Sequence, residues 1–188
     1  MCRLYGFRAT EPTKVECTLV HAQNALMVQS RGDLAGLEHG HGWGVATYED
    51  HEPQVERQAW AAYHGEHFQR AAARVYSCTV LAHVRRATVG KPGLLNTHPF
   101  RAGPWAFAHN GTVPHFERLR ERMLRETAPA HVAAIQGETD SEHVFRLLLT
   151  RIEAAGTREL LAVLRDTIDE IVTWCRALDP QAPIGLNL

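Results

Sequence analysis

The feature that most constrains this chain is a change of hydrophobic period partway along it. Up to residue 109 the apolar residues come in short runs suited to strands, separated by glycine-rich or polar turns. From residue 116 they recur at three- and four-residue spacing, as the buried stripe of a helix does. Phe116, Leu119, Met123 and Leu124 mark one stripe, and Val144, Phe145, Leu148, Leu149 and Ile152 a second. Leu160, Leu161, Leu164, Ile168, Ile171, Val172 and Cys175 form a third, longer one. Strand segments followed by packed helices predict a layered α+β domain.

Within the first half, residues 2–7 predict a strand and residues 14–29 a helix, the latter on the spacing of Val15, Leu19, Ala22 and Leu26. Gly-rich residues 40–44 lead into a strand through Val45–Tyr48. Strands are expected again at 54–62 and 78–84, with a helix at 66–75 between them. The run from Cys78 to His83 is apolar enough for a strand buried on both faces. Residues 104–109 predict a further strand ending in a turn at His109-Asn110-Gly111, and Pro183–Leu188 one more at the end. Thr139-Asp140-Ser141-Glu142 is a capping-box pattern that puts Asp140 in the first turn of a helix.

Composition excludes several classes of function. With 20 basic and 21 acidic residues the formal charge is -1, so no basic excess exists to neutralise phosphates and no nucleic-acid partner is expected. Arg118, Arg120, Arg122 and Arg125 alternate with acids, as on a solvated helix face. No apolar run is long enough to span a membrane, and no secretory leader pattern opens the chain. Cys2, Cys17, Cys78 and Cys175 are widely spaced, which suggests neither a zinc ribbon nor a disulfide framework. A cytoplasmic, reducing location is the expectation.

Cys2 has a chemical consequence of position. Removal of Met1 would leave one residue carrying both a thiol and a free α-amine. An α-amine has an ordinary pKa of about 7.7–8.0, which suits it to act as base for its own residue's sulfur. Four other segments stand out: His83-Val-Arg85-Arg86-Ala-Thr88-Val-Gly90, Asn96-Thr97-His98-Pro99-Phe100, Ala108-His109-Asn110-Gly111-Thr112, and Gly137-Glu138-Thr139-Asp140-Ser141-Glu142.

In this order, with a cysteine at position 2, the segments resemble those of the class II (N-terminal nucleophile) glutamine amidotransferases, closest to their small stand-alone branch. The resemblance runs from Cys2 to the final strand. It implies a four-layer α/β/β/α sandwich of the N-terminal nucleophile hydrolase type. One domain is expected over residues 2–188, incomplete at its C-terminal end. The implied reaction is hydrolysis of glutamine or a γ-glutamyl amide through a thioester on Cys2, with Asn110 and Gly111 as the oxyanion hole. Arg85 would hold the substrate α-carboxylate and Asp140 its α-ammonium, with Thr88 and His98 supporting the pocket. That step needs no cofactor and no metal. The implied partner is a glutamine or γ-glutamyl small molecule; a separate synthetase subunit to receive the ammonia, a self-contained amidohydrolase and a γ-glutamyl peptide degrader are all open.

Each of these residues also has a structural reading: Arg85 as an ion-pair former, Asp140 as a helix-dipole acid, Asn110-Gly111 as a tight turn, His98 as a loop residue. Three departures from the family pattern stand beside the matches. In His41-Gly42-Trp43-Gly44 a histidine occupies the place of an expected acid. Arg86 and Val89 replace a tryptophan and a histidine of the larger family members. Two rival functions follow: an amidotransferase fold that binds glutamine or regulates without turnover, and a histidine-based metal protein built on His39, His41, His64 and His67 among the 12 histidines.

Overall fold

The computed structural model describes residues 2–32 and 35–188. The removal of Met1, on which the reading of Cys2 depends, concerns a residue outside those described. The chain forms two compact units, one running to Asn110 and joined by Leu188, the other Gly111–Asn187. Each is described by itself.

The first unit is built on a four-stranded antiparallel sheet. Its strands are β1 (Arg3–Lys14), β2 (Trp43–Glu49), β3 (Glu52–Gln58) and β4 (Tyr76–Val84), in the order β1-β4-β2-β3. Alternation sends Val80, Ala82 and Val84 of the central strand β4 to one face. There they join Leu19, Trp43 and Phe68 in an apolar core, with Trp43 and Phe68 edge to face at 5.2 Å. The helix α2 (His67–Arg74) supplies Phe68, Ala71 and Ala72 to that core. A short hairpin of β5 (Phe100–Ala102) and β6 (Trp105–Phe107) follows.

Several local expectations need correction. The strand at the start extends to Lys14, with an irregularity between Arg8 and Thr13. The helix expected over 14–29 is two pieces, a π-helical turn at Cys17–His21 and α1 (Leu26–Arg31), separated by extended backbone at Ala22. Cys17, Thr18, Val20, His21 and Asn24 are poor helix formers. Thr18 also turns its hydroxyl onto the Val15 carbonyl at 2.9 Å, competing with the ladder. β3 stops at Gln58, before Trp60. β4 is central but presents only one face to the apolar core; the other carries His83.

In the second unit α5 (Asp140–Ala155) is buried along most of its length. The helices α3 (Phe116–Glu126), α4 (Pro129–Ala133) and α6 (Leu160–Leu178) pack against it. The three stripes read from the sequence are α3, α5 and α6; α4, one turn and a half opened by a proline, was not expected. Asn110-Gly111 is not a turn. It belongs to β7 (Asn110–Thr112), paired with β8 (Gly185–Asn187). The local Asn-Gly signal yields here to a strand pairing with the far end of the chain.

Thr139 caps α5 as expected, its hydroxyl accepting the Glu142 N–H at 3.2 Å. The reciprocal half of the capping box is absent among the described residues. Glu142 instead takes the N–H groups of Gln136 at 3.0 Å and Gly137 at 2.6 Å, which fixes the approach to the helix. No helix among the described residues is long and apolar enough to cross a membrane.

Candidate active site

The register of the sheet decides what surrounds Cys2. Arg3 pairs with Val84 and Leu4 with His83, so the start of β1 lies beside the end of β4. By alternation Cys2, His83 and Arg85 fall on the face opposite the apolar core. Cys2 is buried, at 8% exposure, and its sulfur meets polar groups of the backbone. The Arg86 N–H donates to Sγ at 3.2 Å, and the thiol donates weakly to the Arg86 carbonyl at 3.4 Å. The N–H donor suits a thiolate and the carbonyl acceptor a thiol, so both groups of the Arg86 backbone address the one sulfur.

The glycine-rich turn before β2 holds that backbone in place. Arg85 N–H donates to the Gly42 carbonyl at 2.7 Å, and His41 N–H to the Arg85 carbonyl at 3.0 Å. Ala87 N–H donates to Nδ1 of His41 at 2.9 Å. The side chain that stands where an acid was expected therefore accepts a hydrogen bond, as a carboxylate would. Gly42 has φ +141, and a Cβ on it would meet Thr97 Oγ1 at 2.6 Å. At Gly44 a Cβ would collide with the His98 carbonyl oxygen and reach Pro99 Cδ at 2.9 Å. Both glycines thus admit the 97–99 segment directly against β2.

The buried Arg85 guanidinium, 2% exposed, faces a loop. Nη1 donates to the Lys91 carbonyl at 3.2 Å, and Nη2 to those of Val89 at 3.0 Å and Gly90 at 3.2 Å. Asn96 Nδ2 donates to the same Lys91 carbonyl at 2.9 Å. Arg85 is thus the organiser of the 89–91 loop. Thr88, at its start, is exposed.

His98 packs its ring 4.4 Å from His83 and 4.6 Å from Phe100. Burial, with His83, His109, Arg85 and Arg57 adding repulsion, holds its pKa well below the ordinary histidine value. Burial likewise pushes His83 down to about 3, against an opposing contribution from the His109 backbone. His39, buried as well, lies close enough to His83 to add to that repulsion. The sequence reading singled out His98 but missed its partners. The alternation of His83 with Arg85 along β4 was the available signal.

In the second unit Asp140 is 3% exposed. Oδ2 accepts the Val113 N–H at 2.8 Å; Oδ1 accepts the Ser141 N–H at 2.9 Å and its hydroxyl at 3.3 Å. Asp140 thereby ties the start of α5 to the residues just after β7, which carries Asn110 and Gly111, both half-buried. Of the residues named for a metal, His39 is buried while His41, His64 and His67 are exposed. No group of three or more His, Cys, Asp or Glu among the described residues is arranged to hold a metal ion.

A buried thiol on backbone amides, a buried arginine beside it and an α+β frame define the class of protein to compare. Residues 1–177 match the class II glutamine amidotransferases, and the chain belongs to that family. It is 35% identical over 190 residues to the γ-glutamyl-hercynylcysteine sulfoxide hydrolase of Mycobacterium tuberculosis, covering 99% of this chain and 71% of that one. It is 28% identical over 167 residues to DUG3 of Saccharomyces cerevisiae, named a probable glutamine amidotransferase, covering 83% of this chain and 47% of the yeast protein. The chain spans about half the length of several such relatives. Among solved structures, a glutamine aminotransferase class-II domain protein from Silicibacter pomeroyi superposes with a TM-score of 0.59 at 31% identity, over 72% of this chain and 57% of that one. The fold class is therefore the one expected, an α+β fold of the N-terminal nucleophile hydrolase type.

Proposed function

We propose that this chain hydrolyses the side-chain amide of glutamine, or of a small γ-glutamyl compound, through a γ-glutamyl thioester on Cys2. The observation that best supports this is the position of the Cys2 sulfur. It lies on the polar face of the sheet, held by the Arg86 N–H at 3.2 Å and next in register to Arg85.

With Met1 removed, the α-amine of Cys2 takes the thiol proton and the sulfur attacks the amide carbon. The negative charge on the former carbonyl oxygen is met by the Asn110 side-chain amide and the Gly111 N–H. One such donor is worth about 2.7–4 kcal/mol in the transition state. The protonated amine then delivers its proton to the departing nitrogen, and ammonia or an amine leaves. Water attacks the thioester, releasing glutamate and restoring the thiol.

Arg85 takes the substrate α-carboxylate, its Nη2 turning from the two loop carbonyls it shares between Val89 and Gly90. Thr88 and His98 serve as supporting pocket residues. Asp140 takes the α-ammonium. The roles of Asn110, Gly111, Thr88, His98 and Asp140 rest on the sequence resemblance. The mycobacterial relative is named for a γ-glutamyl conjugate, which is why such compounds stand beside glutamine here. A reducing, cytoplasmic setting suits a nucleophile that must stay a free thiol.

The test is release of ammonia or amine from a panel of γ-glutamyl compounds, with and without candidate synthetase subunits. Turnover by the wild type that is lost in Cys2→Ala is expected. No release from any compound, under either condition, contradicts the proposal.

A further inference from the structure

We infer that His41 is a positioning residue for Cys2: its Nδ1 lone pair fixes the peptide whose carbonyl faces the Cys2 sulfur. The inference rests on the reading of Cys2 as the nucleophile, and it concerns a side chain that stands where the family pattern has an acid.

The geometry is a short ladder beyond the paired ends of β2 and β4. Trp43 pairs with Val84. Past that pair, Arg85 N–H donates to the Gly42 carbonyl at 2.7 Å and His41 N–H to the Arg85 carbonyl at 3.0 Å. The next two amides along the strand do not meet backbone acceptors. Arg86 N–H donates to Cys2 Sγ at 3.2 Å and Ala87 N–H to His41 Nδ1 at 2.9 Å. His41 thus closes the ladder one residue after the amide that faces the sulfur. Without an acceptor there, the peptide between Arg86 and Ala87 is free to rotate, and its rotation turns the Arg86 carbonyl away from the Cys2 thiol, which donates to it at 3.4 Å.

The chemistry of the ring fits this role. Nδ1 is bonded directly to Cγ, as are Oδ1 of asparagine and of aspartate, so all three side chains present an acceptor at the same reach. An Nδ1 that accepts carries no proton, which places the ring hydrogen on Nε2. The His41 ring is exposed, so this is a directed contact at the rim rather than core packing. Charged and titratable groups near this corner include Arg3, whose Nη1 donates to the Cys2 carbonyl at 3.0 Å, Arg57, whose Nη1 donates to the Thr97 carbonyl at 2.9 Å, Arg85, Arg86, His83, His41 and Cys2 itself.

The test reads the sulfur directly. The rate of iodoacetamide alkylation at Cys2, resolved from Cys17, Cys78 and Cys175 by peptide mass spectrometry, is followed against pH in the wild type, His41→Ala and His41→Asn. Loss of the carbonyl that accepts from the protonated thiol lowers the midpoint of that curve by about one unit in His41→Ala, and His41→Asn returns it to the wild-type position. Should the alanine variant fail to fold, His41→Gln replaces it, its oxygen lying one methylene too far out. A curve unmoved by His41→Ala, or moved equally by His41→Asn, overturns the inference. Alkylation does not require turnover. Lack of amidase activity with the expected shifts would therefore count against the proposed reaction alone.

Discussion

The Arg86 amide donates to the sulfur of Cys2 at 3.2 Å, although the two residues lie 84 positions apart in the chain. The pairing of β1 with β4 creates that contact, and the close approach of the 97–99 segment to β2 braces the same sheet. The stability of the sheet and the environment of the Cys2 sulfur are therefore linked.

That link makes Gly44 a sensitive position. A methyl group there collides with the His98 carbonyl and presses on Pro99. Overpacking of this kind typically costs about 1–3 kcal/mol, and the obstacle here is backbone, which yields little. Gly44→Ala is expected to lower the unfolding free energy by that amount, read from the midpoint and slope of urea unfolding. Unfolding of the variant indistinguishable from wild type would show that the segment can move away freely.

As a first-turn acid on the helix dipole alone, Asp140 would be worth about 0.3–1 kcal/mol. Its burial and three donors make it more than that. Asp140→Ala leaves the Val113 and Ser141 N–H groups without their acceptor, so a loss of about 2–4 kcal/mol in folding is expected beside any loss of glutamine affinity. Asp140→Asn keeps one acceptor oxygen and should recover part of the stability while still lacking the charge for an ammonium. Equal stability of the two variants, measured by chemical denaturation, would contradict this division of roles.

The buried imidazoles give the fold a directed pH response. His83 and His98 are held neutral by burial, His83 down to about 3, whereas an unfolded histidine takes up its proton near pH 6.5. Between those values the unfolded state binds more protons than the folded state. Stability present above about pH 6.5 is therefore lost as pH falls through this window, by up to about 1.4 kcal/mol per pH unit for each such histidine. Thermal unfolding at pH 7.5, 6.5 and 5.5 is the measurement. A melting temperature that falls below pH 6.5 is expected, and a flat one contradicts the neutral pair.

How far the sequence disclosed all this depends on distance along the chain. The stripes of α3, α5 and α6 were legible because a helix buries residues that are near neighbours in sequence. The Thr139 cap was legible for the same reason. The helix expected at 14–29 failed because Val15, Leu19 and Leu26 keep apolar spacing while the backbone turns extended between them, at Ala22 and Ala25. Asn110-Gly111 was misread because its strand partner is Gly185–Asn187. At the site, Cys2, Arg85 and His98 were named from the order of motifs. The Arg86 amide and the His41 acceptor depend on strand register, which no single segment encodes.

Covalent labelling of the nucleophile tests the proposal most directly. The wild-type protein is treated with a diazo-ketone analogue of glutamine and analysed by intact and peptide-resolved mass spectrometry. The expected result is a chain beginning at Cys2 that carries one adduct on that residue, with labelling suppressed by glutamine and absent in Cys2→Ala. An adduct on Cys17 or Cys78, or a retained Met1 on active protein, would contradict it.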